Sequence, residues 1–343
     1  MAYTAIDDAG IFFNTKLYTG TGASNAQTGV GFQPDFTWIK NRDAADFHVL
    51  TDAVRGVTNY LVSDTNAGET TNAESLTGFD SDGFTVGTMD EVNTSTEAFV
   101  AWNWKANGAG AANSDGSITT TKTSANTTSG VSVVTYTGTG AVATIGHGLG
   151  AVPKMMIAKR LDTVNSWMVY NEALGNANEL YLNGTNGSSG APNSWNSTTP
   201  TSSVWSVATD ANNTSGGTFV TYLFAEKTGF SKFGKYTGNG NADGTFVYTG
   251  FRPAFFLFKK TSAAGNNWGL FDNKRNTFNL VDTGLKPDAN EAEYTTNGCD
   301  FLSNGVKMRS TGGDNNTDGA TYIYMAFAES PFVNSEGVPT NAR

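Results

Sequence analysis

Apolar residues in this chain recur with a period of two rather than 3.6. β-Branched and aromatic residues gather in runs of strand length, as in Phe36-Thr37-Trp38-Ile39-Lys40, Val131-Ser132-Val133-Val134-Thr135-Tyr136 and residues 321–327. Turn pairs punctuate these runs at Asp82-Gly83, Asn183-Gly184, Asn239-Gly240, Asp243-Gly244, Asn297-Gly298 and Asn304-Gly305. Such pairs supply the left-handed backbone that tight hairpins need. No amphipathic helix of three turns is legible, and short helical pieces are expected only near residues 54–59 and 288–293. Many short strands between turn signals predict an all-β, antiparallel chain.

The pattern is written three times. Tyr18-Thr19-Gly20-Thr21-Gly22 recurs as Tyr136-Thr137-Gly138-Thr139-Gly140 and as Tyr236-Thr237-Gly238-Asn239-Gly240. A Gly-x-x-Pro turn follows each copy, ending at Pro34, Pro153 and Pro253, and six residues later stands Lys40, Lys159 or Lys259. A strand ending at Asp52, Asn171 or Asp272 comes next. A leucine strand follows it, read as Tyr60-Leu61-Val62, Leu180-Tyr181-Leu182 and Phe278-Asn279-Leu280-Val281. An aromatic strand closes each copy at Trp104, Phe224 and Phe327, lying 70, 71 and 74 residues after the proline. Copies of this length are domain-sized, not solenoid units. The expected fold is three tandem antiparallel β-sandwich (jelly-roll-like) domains. Their expected bounds are an N-terminal docking segment 1–15, repeat 1 at 16–105, a linker 106–130, repeat 2 at 131–228, repeat 3 at 229–332 and a C-terminal tail 333–343.

Composition narrows the function classes. Charged residues make up 15% of the chain, well under the roughly 25% of ordinary domains, and Gly, Asn, Thr and Ser fill the gap. Net charge is −10 with no basic stripe, which argues against nucleic acid and anionic membranes as partners. One cysteine, Cys299, excludes an intrachain disulfide and a multi-cysteine metal site. The opening residues have neither a basic n-region nor an apolar h-region, so synthesis in a reducing cytoplasm is expected.

Candidate chemistry is sparse. His48 and His147 are the only histidines, and neither stands near a serine and an orienting carboxylate in sequence. Asp80-Ser81-Asp82-Gly83 and Asp314-Asn315-Asn316-Thr317-Asp318-Gly319 carry oxygen ligands in calcium-like density, but hairpin turns want the same residues. No catalytic residue, metal site or cofactor is expected. Recurrence at packing positions marks Lys40, Lys159, Lys259, Asp52, Asn171 and Asp272 as structural. Among the tryptophans only Trp195, in the loop Ala191-Pro192-Asn193-Ser194-Trp195-Asn196, escapes the repeat. It is the candidate ligand-binding residue, a platform for a sugar ring.

Several stretches resemble a family of virion structural proteins from tailed phages of marine bacteria, including cyanophages. They are the opening Met1-Ala2-Tyr3-Thr4-Ala5-Ile6-Asp7-Asp8, Trp38-Ile39-Lys40-Asn41-Arg42, Phe79-Asp80-Ser81-Asp82-Gly83-Phe84, Thr144-Ile145-Gly146-His147-Gly148-Leu149-Gly150, Asp272-Asn273-Lys274-Arg275 and Ala326-Phe327-Ala328-Glu329-Ser330-Pro331-Phe332. The resemblance implies a non-enzymatic virion protein, a tail-fibre or tip component that attaches to host-surface polysaccharide. The alternative it leaves open is a head or tail decoration or connector without receptor binding. Other virion proteins and further copies of the chain, as a trimer, are the expected partners, since sandwich edges invite pairing.

Overall fold

The computed structural model describes residues 3–339. The first two residues of the expected docking segment and residues 340–343 of the expected tail lie outside the described residues. The chain is all-β, built from antiparallel sheets. Its helices are single turns at Asp90–Asn93 and Gly313–Asn316, with 3₁₀ turns at Ala9–Ile11 and Glu172–Leu174. The helical pieces expected near 54–59 and 288–293 do not form, because both stretches are turns between strands.

One sheet order recurs in every repeat. The closing strand, last in sequence, inserts between the opening Tyr-Thr-Gly strand and the lysine strand. Ala98–Trp104 pairs with Phe13–Thr19 (Tyr18 opposite Phe99) and with Phe36–Asn41 (Trp38 opposite Trp102). Thr218–Ala225 stands between Val131–Thr137 and Pro153–Arg160. Thr321–Pro331 stands between Ser231–Thr237 and Phe251–Lys260. The strands Val49–Asp52, Met168–Asn171 and Trp268–Asp272 then extend each sheet.

Both faces of the closing strands are buried, which is why they read as unbroken apolar runs. In repeat 1, Phe99 and Ala101 face a smaller sheet of Asn25–Thr28, Gly83–Val86 and Leu76–Asp80, packing on Phe84, Val86 and Leu76. In repeat 2, Phe219 and Leu223 face Ala143–Gly146 and Val204–Val207 through Ile145, Trp205 and Val207. The opposite parity, Val100, Trp102 and Trp104 or Val220, Tyr222 and Phe224, enters one core shared with repeat 3.

Three expectations change on contact with the structure. The leucine strand of repeat 3 is shifted: Phe278 is 77% exposed, and Leu285 bridges Leu270 as Leu61 pairs with Leu50. Chain length between the turns sets this register, and composition alone does not mark it. Residues 106–130 do more than connect, since Lys122–Asn126 forms a strand against Val131–Thr137. Residues 3–15 do not project as a docking peptide. Ile6, Ala9 and Phe13 lie in the shared core. Thr4 Oγ1 donates to Thr228 O at 2.8 Å and Tyr3 Oη to Gly250 O at 2.8 Å. Burying those apolar side chains holds the segment on repeat 3 as a strap.

Candidate functional site

The three final aromatics of the repeats meet. Ring centroids of Trp104 and Phe224 lie 6.4 Å apart, of Trp104 and Phe327 5.7 Å, and of Phe224 and Phe327 6.0 Å, each pair edge to face. Around this triangle equivalent residues make equivalent bonds in a closed cycle. Glu69 N donates to Leu161 O, Ser188 N to Thr261 O, and Glu293 N to Arg42 O, each at 2.8–2.9 Å. Each acceptor stands two residues after the recurring lysine. Trp167 Nε1 reaches Val62 O at 2.8 Å and Trp268 Nε1 reaches Tyr181 O at 2.9 Å, while His48 occupies the equivalent place in repeat 1. Repeat 1 thus touches repeat 3, repeat 2 touches repeat 1, and repeat 3 touches repeat 2.

Two of the three junctions hold a buried ion pair. Asp52 Oδ2 accepts from Arg55 Nε at 2.6 Å and from Tyr222 Oη of repeat 2 at 2.8 Å. Asp272 Oδ2 accepts from Arg275 Nε at 2.6 Å and from Trp102 Nε1 of repeat 1 at 3.1 Å, with the Arg275 guanidinium 5.8 Å over the Trp102 ring. Both aspartates are fully buried. Asn171, Leu174 and Met325 stand at the third set of equivalent positions. Leu174 and Met325 join the shared core, and Asn171 Nδ2 has no hydrogen-bond partner. Both charges of the pair are absent there, so neither partner is left as an unpaired buried ion.

The recurring lysines are deeper than strand caps. Lys40, Lys159 and Lys259 are at most 1% exposed, and burial lowers each ammonium to about 8. Their Nζ atoms donate to backbone oxygens of Ala44, Arg160 and Asn266. Burial raises the neighbouring carboxyls, Asp64 to about 6 and Asp288 to about 7, and Asn183 takes their place in repeat 2. His48 and His147 are buried, and burial lowers both imidazoles below their ordinary range. His48 Nδ1 accepts from Trp38 Nε1 at 3.0 Å, and His147 Nδ1 accepts from Leu149 N at 3.2 Å. Both are core acceptors.

Trp195 is not the expected sugar platform. It is 1% exposed, and its ring meets Tyr170 edge-on at 5.7 Å. The loop folds its indole inward, where the area removed from water is largest. The carboxylate of Asp82 accepts from Gly29 N at 2.9 Å and Gly31 N at 2.8 Å, which makes it a turn acceptor. No group of three metal-ligating side chains is found among the described residues.

A further trio is legible in the sequence. Asn93, Asn213 and Asn316 each stand eleven residues before the final aromatic and before a threonine. Each is buried and accepts through Oδ1 from the motif residue after Gly20, Gly138 or Gly238, at 2.9, 2.9 and 3.0 Å. The motif tyrosines donate to the residue just before each asparagine, Val92, Asn212 and Asn315, at 2.7, 2.6 and 2.8 Å. A Cβ on Gly138 would stand 2.4 Å from Thr214 O, so only glycine fits. The Tyr-Thr-Gly signature is therefore a clamp, not a ligand site.

A groove lies beside the strap. It encloses about 520 Å³ among Tyr3, Thr4, Thr127, Thr128, Lys227 and Thr228. Its wall is mostly apolar, with Ala5 and Ile6 beside the threonine methyls, and carries several hydroxyls and one ammonium.

A family model for a domain of unknown function, DUF7483, matches residues 8–331 in one span. This chain belongs to the DUF7483 family. No curated protein and no solved structure matches it. In this DUF7483 chain the matched span crosses all three repeats, in keeping with their common core. The stretches that flank the match touch each other, with Ser335 N donating to Asp7 Oδ1 at 2.6 Å. The bond from the Ser335 hydroxyl to Oδ2 holds the Asp7 carboxyl below the usual range.

Proposed function

We propose that this DUF7483 chain is a non-enzymatic structural protein of a phage virion. Its three repeats are tandem jelly-roll-like β-sandwich domains carried on a tail fibre or tip for attachment to host-surface glycan. The observation that carries the reading is the closed cycle around Trp104, Phe224 and Phe327. A chain whose domains lock together through a shared aromatic core is a rigid scaffold with its loops turned outward. Such a scaffold suits display and load-bearing. The sparsely charged, hydroxyl-rich surface suits hydrogen bonding to neutral polysaccharide, and the groove beside the strap, with four threonines and an apolar floor, is one concave part of it.

The homotrimer implied by the resemblance is not part of this reading, because one chain already closes a threefold cycle around its own three rings. The test is a pull-down of tagged protein with intact host cells and, in parallel, with virions lacking it. Binding to cells, competed by extracted envelope polysaccharide and lost in Thr128→Arg, which fills the groove, supports attachment. Binding to the deficient virions alone makes the chain a decoration or connector.

A further inference from the structure

The small sheets end in equivalent edge strands, Asn25–Thr28, Ala143–Gly146 and Phe246–Tyr248. Repeat 2 covers its own edge. Ile118 N donates to Thr144 O at 2.9 Å, Ser117 Oγ accepts from Thr144 N at 2.9 Å, and Ile118 bridges Ile145 in parallel. The equivalent of Thr144 in repeat 3 is Phe246, since Ile145 and Val247 lie opposite Trp205 and Val306. No segment of the chain lies along that edge among the described residues.

Three features make the repeat 3 edge self-complementary. Thr245 O and Thr249 N bond the inner neighbour, at Met308 N and Asn304 O, both at 3.0 Å. In an antiparallel ladder such bonds alternate, so the backbone groups of Phe246 and Tyr248 point to the open side. The side chains of Phe246 and Tyr248 are 42% and 53% exposed, whereas repeat 1 has Ala26 and Thr28 at these positions. Residues 245–249 carry no charge, and the nearby Asp243 is paired with Lys307 at 2.8 Å. The usual guards of an exposed edge, a lysine, a proline or a bulge, are missing from this strand.

We propose that a second copy of this chain pairs with Phe246–Tyr248, antiparallel, across a twofold axis at Val247. Phe246 then stands opposite Tyr248 of the other copy, and the reverse. Both residues have outward backbone groups, so each pair exchanges two N–H···O bonds, four in all. Both aromatic pairs fall on one face of a sheet that grows from four strands to eight. The interface is isologous and closed, which fixes the stoichiometry at two. Tyr3 braces it from the strap, its hydroxyl 3.3 Å from that of Tyr248.

Sedimentation equilibrium of the full chain across the micromolar range tests this. The expected result is a dimer whose dissociation constant rises about tenfold or more in Tyr248→Pro. That change removes an outward N–H together with the tyrosine ring and its contact to Tyr3, and leaves the bonds of Thr245 O and Thr249 N to the inner strand in place. Phe246→Lys is expected to weaken the dimer likewise, and Ala26→Lys on the repeat 1 edge to leave it unchanged. A monomer throughout the range, a stoichiometry other than two, or a dimer indifferent to both repeat 3 variants overturns the proposal. The readout uses neither host cells nor virions, so it stands or falls apart from the attachment reading.

Discussion

At the scale of single residues, this protein depends on a few buried polar groups that each hold several backbone strands. Asn213 joins Thr139 N to two carbonyls, Ala141 O at 2.6 Å and Ala208 O at 2.8 Å. Asn213→Ala leaves these groups without their partner, and a loss of about 2–3 kcal/mol is expected in urea unfolding. Gly138→Ala drives a methyl onto Thr214 O and is expected to cost about 1–3 kcal/mol in the same assay. Asp288 sets a pH signature. Its carboxyl titrates at about 7 in the folded chain against an ordinary 3.8. The group therefore adds stability that is complete below the ordinary value and is lost as pH climbs toward 7. Asp288 and Asp64 each contribute a fall in the urea midpoint between pH 4 and 7, against a rise contributed over the lower part of that window by the buried, neutral His48 and His147. Asp288→Asn keeps the acceptor for Trp268 N, as Asn183 does for Trp167 N, and is expected to flatten the fall. A midpoint equally steep in this variant would remove Asp288 from the account.

At the scale of elements, the junctions between repeats decide which substitutions matter. Arg275→Met leaves Asp272 charged and buried, and a cost of about 3–5 kcal/mol is expected in chemical denaturation. The double variant Asp272→Asn with Arg275→Leu copies the residues of repeat 2, Asn171 and Leu174, and is expected to recover most of that loss. A double variant as unstable as the single one would show that the pair matters through more than its charge balance. The same junctions show what was readable. Recurrence put Asp52, Asn171 and Asp272 in one class, yet their partners Tyr222 and Trp102 lie in other repeats and are 170 residues distant. Leu285, not Leu280, lies opposite Leu270, because in this loop-rich stretch only strand pairing fixes the register.

At the scale of the whole molecule, the shared core couples the repeats. Repeats 1 and 2 each keep a cluster of their own between their two sheets, but the other face of each main sheet is buried only against the other repeats. One calorimetric transition is expected for the full chain, with tryptophan fluorescence and far-ultraviolet dichroism melting together. Phe224→Ala is expected to lower stability by about 3–5 kcal/mol and to shift that single transition as a unit. Separate melting of one repeat would mean that the triangle of rings is not what holds the three together.

Strand period, turn chemistry and the threefold repetition are written in the sequence. These are local properties, carried by side-chain alternation and by residues that tolerate left-handed backbone. It also marked the Asn-Thr position eleven residues before each closing aromatic, a signal as regular as the Tyr-Thr-Gly motif. That the repeats share one core, that the strap folds back on repeat 3 and that Trp195 turns inward are outcomes of packing in three dimensions. Each of those outcomes depends on which apolar face finds which other face across more than a hundred residues. A face reads as apolar in the sequence, but its partner is chosen by shape and by the total area removed from water.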